Sequence, residues 1–73
     1  AEYEELIRRL YEAISSLPPM QARRVHARYM LGMKVKDIAA MEGITPAQAG
    51  KSIHAALRRL RRYFARQKWT VNL

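Results

Sequence analysis

At 73 residues the chain is one domain at most, and a domain of that size buries only about 60% of the surface its unfolded form exposes. A preorganised enzyme cleft is hard to build from so little material, whereas a few helices around one apolar centre are feasible. Fourteen Lys and Arg against six Asp and Glu leave a net charge of +8, which points to a polyanionic partner.

No cysteine is present, which excludes disulfide staples and thiolate metal sites and fits a reducing compartment. No apolar run approaches the roughly 20 residues that cross a bilayer. There is no signal-like start and no Met at position 1, so the chain reads as a cytoplasmic domain cut from a longer protein.

Leu6, Ile7, Leu10, Tyr11, Ile14 and Leu17 recur at helical spacing, with Glu2, Glu4 and Glu5 at the end where the helix dipole favours acids. A first helix is predicted from about residue 3 to 16. Ser15-Ser16-Leu17-Pro18-Pro19 breaks it, because a residue before proline is pushed out of the helical region and Pro19 suits the first position of a new helix. The second helix spans about 19 to 31 and ends at Gly32, with Ala22, Val25 and Tyr29 as its inner stripe and Arg23, Arg24 and Arg28 outside. A short third helix, about 35 to 42, turns Val35, Ile38, Ala39 and Met41 inward, and Gly43 supplies the left-handed residue that stops it.

Ile44 reads as a buried plug, Thr45 as the N-cap of a fourth helix and Pro46 as its first residue, and Thr45 with Gln48 makes a capping-box pattern. From there to about Arg66 the apolar stripe is Ala49, Ile53, Ala56, Leu57, Leu60 and Phe64. Diametrically opposite run Ala47, Lys51, Ala55, Arg58 and Arg62. From Gly43 to the C-terminus there are seven Lys or Arg and no acid. A helix whose inner face is committed to a core offers its outer face, so this basic line is the candidate surface for duplex phosphate. The segment from about 35 to 66 therefore has the pattern of a helix-turn-helix, in which the second helix enters the major groove.

Other chemistries fit less well. Gly50-Lys51-Ser52 resembles the end of a phosphate-binding loop, but six residues separate it from the upstream Gly43 where the loop has four, and no strand precedes it. His26 and His54 lie on different predicted helices with no Cys beside them, so no metal site is expected. No Ser/His/Asp set or inward carboxylate pair assembles. Neither a cofactor nor an enzymatic activity is expected. Among the aromatics, Tyr63 and Trp69 sit among basic residues where base stacking is open to them.

The segments Leu17-Pro-Pro-Met-Gln-Ala-Arg-Arg-Val25, Arg28-Tyr-Met-Leu-Gly32, Asp37-Ile-Ala39, Gly43-Ile-Thr45, Lys51-Ser-Ile-His54 and Leu57-Arg-Arg-Leu60 together resemble region 4 of bacterial sigma factors. They are closer still to the small sigma-like helix-turn-helix proteins of phages and conjugative elements. The resemblance covers about residues 5 to 64. It implies an all-α, four-helix domain that binds double-stranded DNA through its fourth helix in transcription, in the bacterial cytoplasm at the nucleoid, with other surfaces touching RNA polymerase.

The positions that match the family's DNA contacts are Pro46, Ala47, Gln48, Gly50, Lys51 and His54. Where many relatives carry Arg or Glu, this chain has Pro46, Ala47 and Gly50, so bidentate readers of guanine are missing from the first turn. Gln48 and Lys51 remain as candidate base readers, with Gln48 divided between that role and the cap. Arg58, Arg59 and Arg62 are candidate phosphate contacts. Taken with the Thr45 cap and His54, these seven residues are the candidate DNA-binding set. A standalone dimeric regulator and a protein-interaction module with nonspecific DNA affinity stay open as alternatives; no heptad seam is evident, so a monomer is expected.

Overall fold

The computed structural model describes residues 2–67. Four α-helices follow one another: α1 Glu2–Ser15, α2 Pro19–Val25, α3 Val35–Glu42 and α4 Pro46–Arg66, with α2 running on as a π-helical turn over His26–Met30. Among the described residues there is no strand. Lys68, Trp69 and the rest of the predicted tail lie outside them.

Glu5 anchors the start of α1 by pairing with Arg8 and accepting a hydrogen bond from Arg9 Nε at 2.7 Å. At its other end the hydroxyls of Ser15 and Ser16 bond back to the carbonyls of Glu12 and Ala13 at 2.8 and 2.6 Å. The Ala13 carbonyl also accepts from Ser16 N at 3.1 Å, so backbone and side chain of one serine close the last turn together. Leu17 is buried, and Pro18 and Pro19 launch α2, with the Pro18 carbonyl accepting from Ala22 N at 2.9 Å.

The second helix departs from its predicted face. Leu31 N donates to the His26 carbonyl at 3.1 Å, a bond five residues long, and such a turn holds one residue more than an α-turn. The inward position after Val25 therefore falls on Met30, which packs against the core, and not on Tyr29, which is 55% exposed. Gly32 ends the segment at φ 71°, and Arg28 reaches over the turn to the Met33 carbonyl at 3.1 Å. Arg24, expected outside, instead turns into the molecule.

The main core joins Ala13, Ile14 and Leu17 to Val25 of α2 and to Ala56, Leu60 and Phe64 of α4. Ile38 and Ala39 of α3 and Ala49 and Ile53 of α4 are buried as well, where α3 and α4 pack. Ala13, Ala49 and Ala56 are wholly buried, small residues that let helix axes approach closely. Each fully buried side chain of leucine size contributes about 1.5–3 kcal/mol, and Leu60 is 1% exposed. Besides Tyr29, several predicted core positions are not fully buried: Met41 is 77% and Tyr11 47% exposed, and Leu6, Ile7, Leu10, Ala22, Val35, Ile44 and Leu57 are half-buried. At eight residues α3 has room for little more than two inward positions, and Ile38 with Ala39 fills them.

Candidate nucleic-acid interface

The turn between α3 and α4 is fixed by local chemistry on both sides. Gly43 takes the left-handed conformation, φ 69° and ψ 30°, which costs a residue without Cβ nothing. Its amide bonds the Ala40 carbonyl at 3.3 Å and the Ile44 amide bonds the Ala39 carbonyl at 3.0 Å, the paired bonds of a Schellman stop. Two residues later Thr45 Oγ1 accepts from Gln48 N at 3.1 Å while Thr45 N donates to Gln48 Oε1 at 2.9 Å. This reciprocal capping box, with Pro46 in the first helical position, starts α4 at one defined residue.

Once α4 is started, its faces are set by what it buries. Ala49, Ile53, Ala56, Leu60 and Phe64 are all buried and Leu57 half-buried. At about 100° per residue, Lys51, Arg58 and Arg62 fall on the meridian opposite that stripe, and all are exposed. His54 and Arg59 are exposed on the flanks, and Thr45 and Gln48 at the leading end. The predicted set thus lies along the open side of one helix that carries no acid, and the local field there is positive.

Gln48 takes part in the cap: its side-chain oxygen accepts from Thr45 N, which leaves the side-chain NH2 as the group not used by the capping box. Gly50 is half-buried on a flank, and a Cβ added there would meet nothing within 4 Å. Tyr63 is not the exposed stacking platform its neighbours suggested: it is half-buried and packs edge-on against Phe64 with ring centroids 5.6 Å apart. Trp69 lies outside the described residues.

Sequence reasoning missed a charged staple beside this surface. The Arg24 guanidinium of α2 donates through Nε and Nη2 to Glu42 at the end of α3, at 2.9–3.1 Å, and through Nη1 to Ser52 Oγ of α4 at 2.8 Å. With its side chain only 11% exposed, Arg24 binds three helices at once. The hydrogen bond from Arg24 holds the Glu42 carboxyl below its ordinary pKa, against a smaller opposing effect of burial, and Glu42 raises that of Arg24 in return. Helical periodicity carries no signal for this pairing, because its partners are 18 and 28 residues away.

An apolar groove of about 630 Å³ opens between α1, the α2–π segment and α3, with Tyr11, His26, Leu31, Met33 and Met41 on its walls and no residue of α4. Among the described residues no three His, Asp or Glu side chains gather as a metal site, and no helix is long and apolar enough to cross a membrane.

No individual curated protein and no solved structure gave a significant match to the chain. The sigma-70 region 4 family does match, over residues 7–60, a span running from the first turns of α1 to the buried Leu60 of α4. With most of its length covered and the helix-turn-helix in place, the chain belongs to the sigma-70 region 4 family, DNA-binding domains of transcription with no enzymatic role of their own.

Proposed function

We propose that the chain acts as one monomeric domain that reads duplex DNA in transcription initiation or regulation, with α4 laid in the major groove. The observation that carries this reading is the opposition on α4: a buried apolar stripe on one side, and Lys51, Arg58 and Arg62 exposed on the other. Lys51, near the leading end, is placed to reach a base edge, and the NH2 of Gln48 beside it. His54 follows one turn on. Arg58, Arg59 and Arg62 are assigned to phosphates, where they fix register without reading sequence. Such a role belongs in the bacterial cytoplasm, at the nucleoid.

Selection of bound sequences from a random duplex pool, followed by a salt titration, tests the proposal. Neutralising about four phosphates gives a slope of log affinity against log salt near −3.6. Absence of any enriched sequence would overturn specific reading.

A second reading rests on a specific observation. The first turn of α4 offers Pro46, Ala47 and Gly50, and the Gln48 oxygen is occupied, so base reading by this helix alone is thin. The apolar groove with exposed Leu31 and Met41 lies away from α4. On this reading RNA polymerase docks there, and the complex supplies the binding energy that the isolated domain lacks. The apolar character of the groove also leaves room for a dimer, which sedimentation at micromolar concentration detects; a monomer is expected.

A further inference from the structure

We infer that Arg24 and Ser52 are positioning residues for DNA recognition: the guanidinium of Arg24 sets the angle at which α4 leaves α3, and so where Lys51 falls. The inference rests on the proposed reading of α4 as the helix that meets the duplex.

A guanidinium is planar and presents its N–H donors in a fixed fork. Here Nε and Nη2 are taken by the Glu42 carboxylate, at 2.9–3.1 Å, and Nη1 by Ser52 Oγ at 2.8 Å. Because the fork is rigid, seating it on Glu42 fixes where Nη1 points, and Ser52 has to meet it there. Glu42 is the last residue of α3, one residue before the left-handed Gly43, so the staple spans the turn of the helix-turn-helix itself. The backbone alone sets where α4 begins, through Gly43 and the Thr45 cap. The buried stripe then decides which face of α4 turns inward, and the bond at Ser52 constrains the finer rotation of the helix about its axis.

Ser52 adjoins Lys51 in the chain and stands about 100° round the helix from it. It is half-buried on the flank between the apolar stripe and the exposed meridian. A small rotation there shifts the end of the Lys51 side chain, while the arginines further along α4 still reach the phosphates. Loss of the staple is therefore expected to cost preference among sequences more than general affinity.

The test uses two duplexes of equal length, one enriched by selection from a random pool and one scrambled, with affinities measured well below the thermal midpoint of each variant. For Ser52→Ala, the ratio of the two affinities falls by about five- to tenfold, the size expected for one member of a coupled polar network, while affinity for the scrambled duplex holds. Ser52→Thr, which keeps a hydroxyl acceptor, restores most of the ratio. Glu42→Gln keeps an oxygen for Arg24 and falls between the two, and serves if Ser52→Ala does not fold.

An unchanged ratio in Ser52→Ala overturns the positioning role and leaves the reading of α4 intact. Equal losses in Ser52→Ala and Ser52→Thr show a packing effect and overturn it too. A wild-type protein that prefers neither duplex has no ratio to lose, and overturns the reading beneath it as well.

Discussion

Thr45 and Gln48 hold each other: each backbone amide donates to the other's side-chain oxygen, at 2.9 and 3.1 Å. Both donors would otherwise stand unpaired at the start of α4, so Thr45→Ala is expected to lower stability by about 1 kcal/mol. Gln48→Glu is the more telling change. Glutamate serves the same box and suits the positive end of the helix, so stability is retained, but a negative charge now faces phosphate and duplex affinity falls. Denaturant melts and binding measured on the same variant check both halves; undiminished binding would place this end of α4 away from DNA.

The Arg24–Glu42 pair gives the fold a pH dependence with a definite sign. Arg24 holds the Glu42 carboxyl below its ordinary value, so its contribution is fully present above the unfolded carboxylate pKa of about 4.3. It is lost as pH falls through the lower folded value. Glu5, lowered by Arg8 and then Arg9, acts in the same window from a half-buried position. The thermal midpoint should be steady from neutral pH down to about 5 and then fall, and Glu42→Gln should remove part of that fall. An identical pH profile in Glu42→Gln would contradict the coupling.

Gly50 sits inside a helix where alanine is about 1 kcal/mol more favourable, and nothing in the protein obstructs a Cβ there. Gly50→Ala is expected to stabilise by about that amount. Since Gly50 lies on a flank of α4 and not on the Lys51 meridian, duplex affinity should be unchanged. Stabilisation accompanied by weakened binding would show instead that the helix backbone approaches DNA at this point.

Lys51 and Arg58 share a meridian but are assigned different work. Lys51→Ala should weaken binding to the preferred duplex more than to random DNA, by roughly 1–3 kcal/mol in discrimination if Lys51 meets a base. Arg58→Ala should weaken both alike and reduce the salt slope by about 1. Equal losses for Lys51→Ala on the two duplexes would remove it as a reader.

The parts of this fold that were legible in the sequence are those governed by neighbours along the chain. Gly43 through Pro46 spell a helix stop and a capped start, and the stripe from Ala49 to Phe64 is buried as its spacing implies. The parts that were not legible depend on contacts between helices or on a change of helical period. A π-turn at His26–Met30 moved the inward position from Tyr29 to Met30, and a pattern read at 3.6 residues per turn cannot register that shift. Arg24 was placed outside because arginines at the surface usually are, yet Glu42 and Ser52 draw it in. Ala13, wholly buried, carries too little apolar surface to mark itself as core. For the interface, the exposed basic meridian was readable, whereas the commitment of Gln48 to the cap needed coordinates to decide.

Whether α4 meets the duplex is decided by mapping backbone amide signals during titration with the selected duplex. The largest shifts are expected along the outer face of α4, at Lys51, His54, Arg58 and Arg62, with Thr45 and Gln48 at its leading end. Undisturbed signals at those residues, with shifts gathered instead at Tyr11, Leu31 and Met41, would contradict the placement of α4 on DNA.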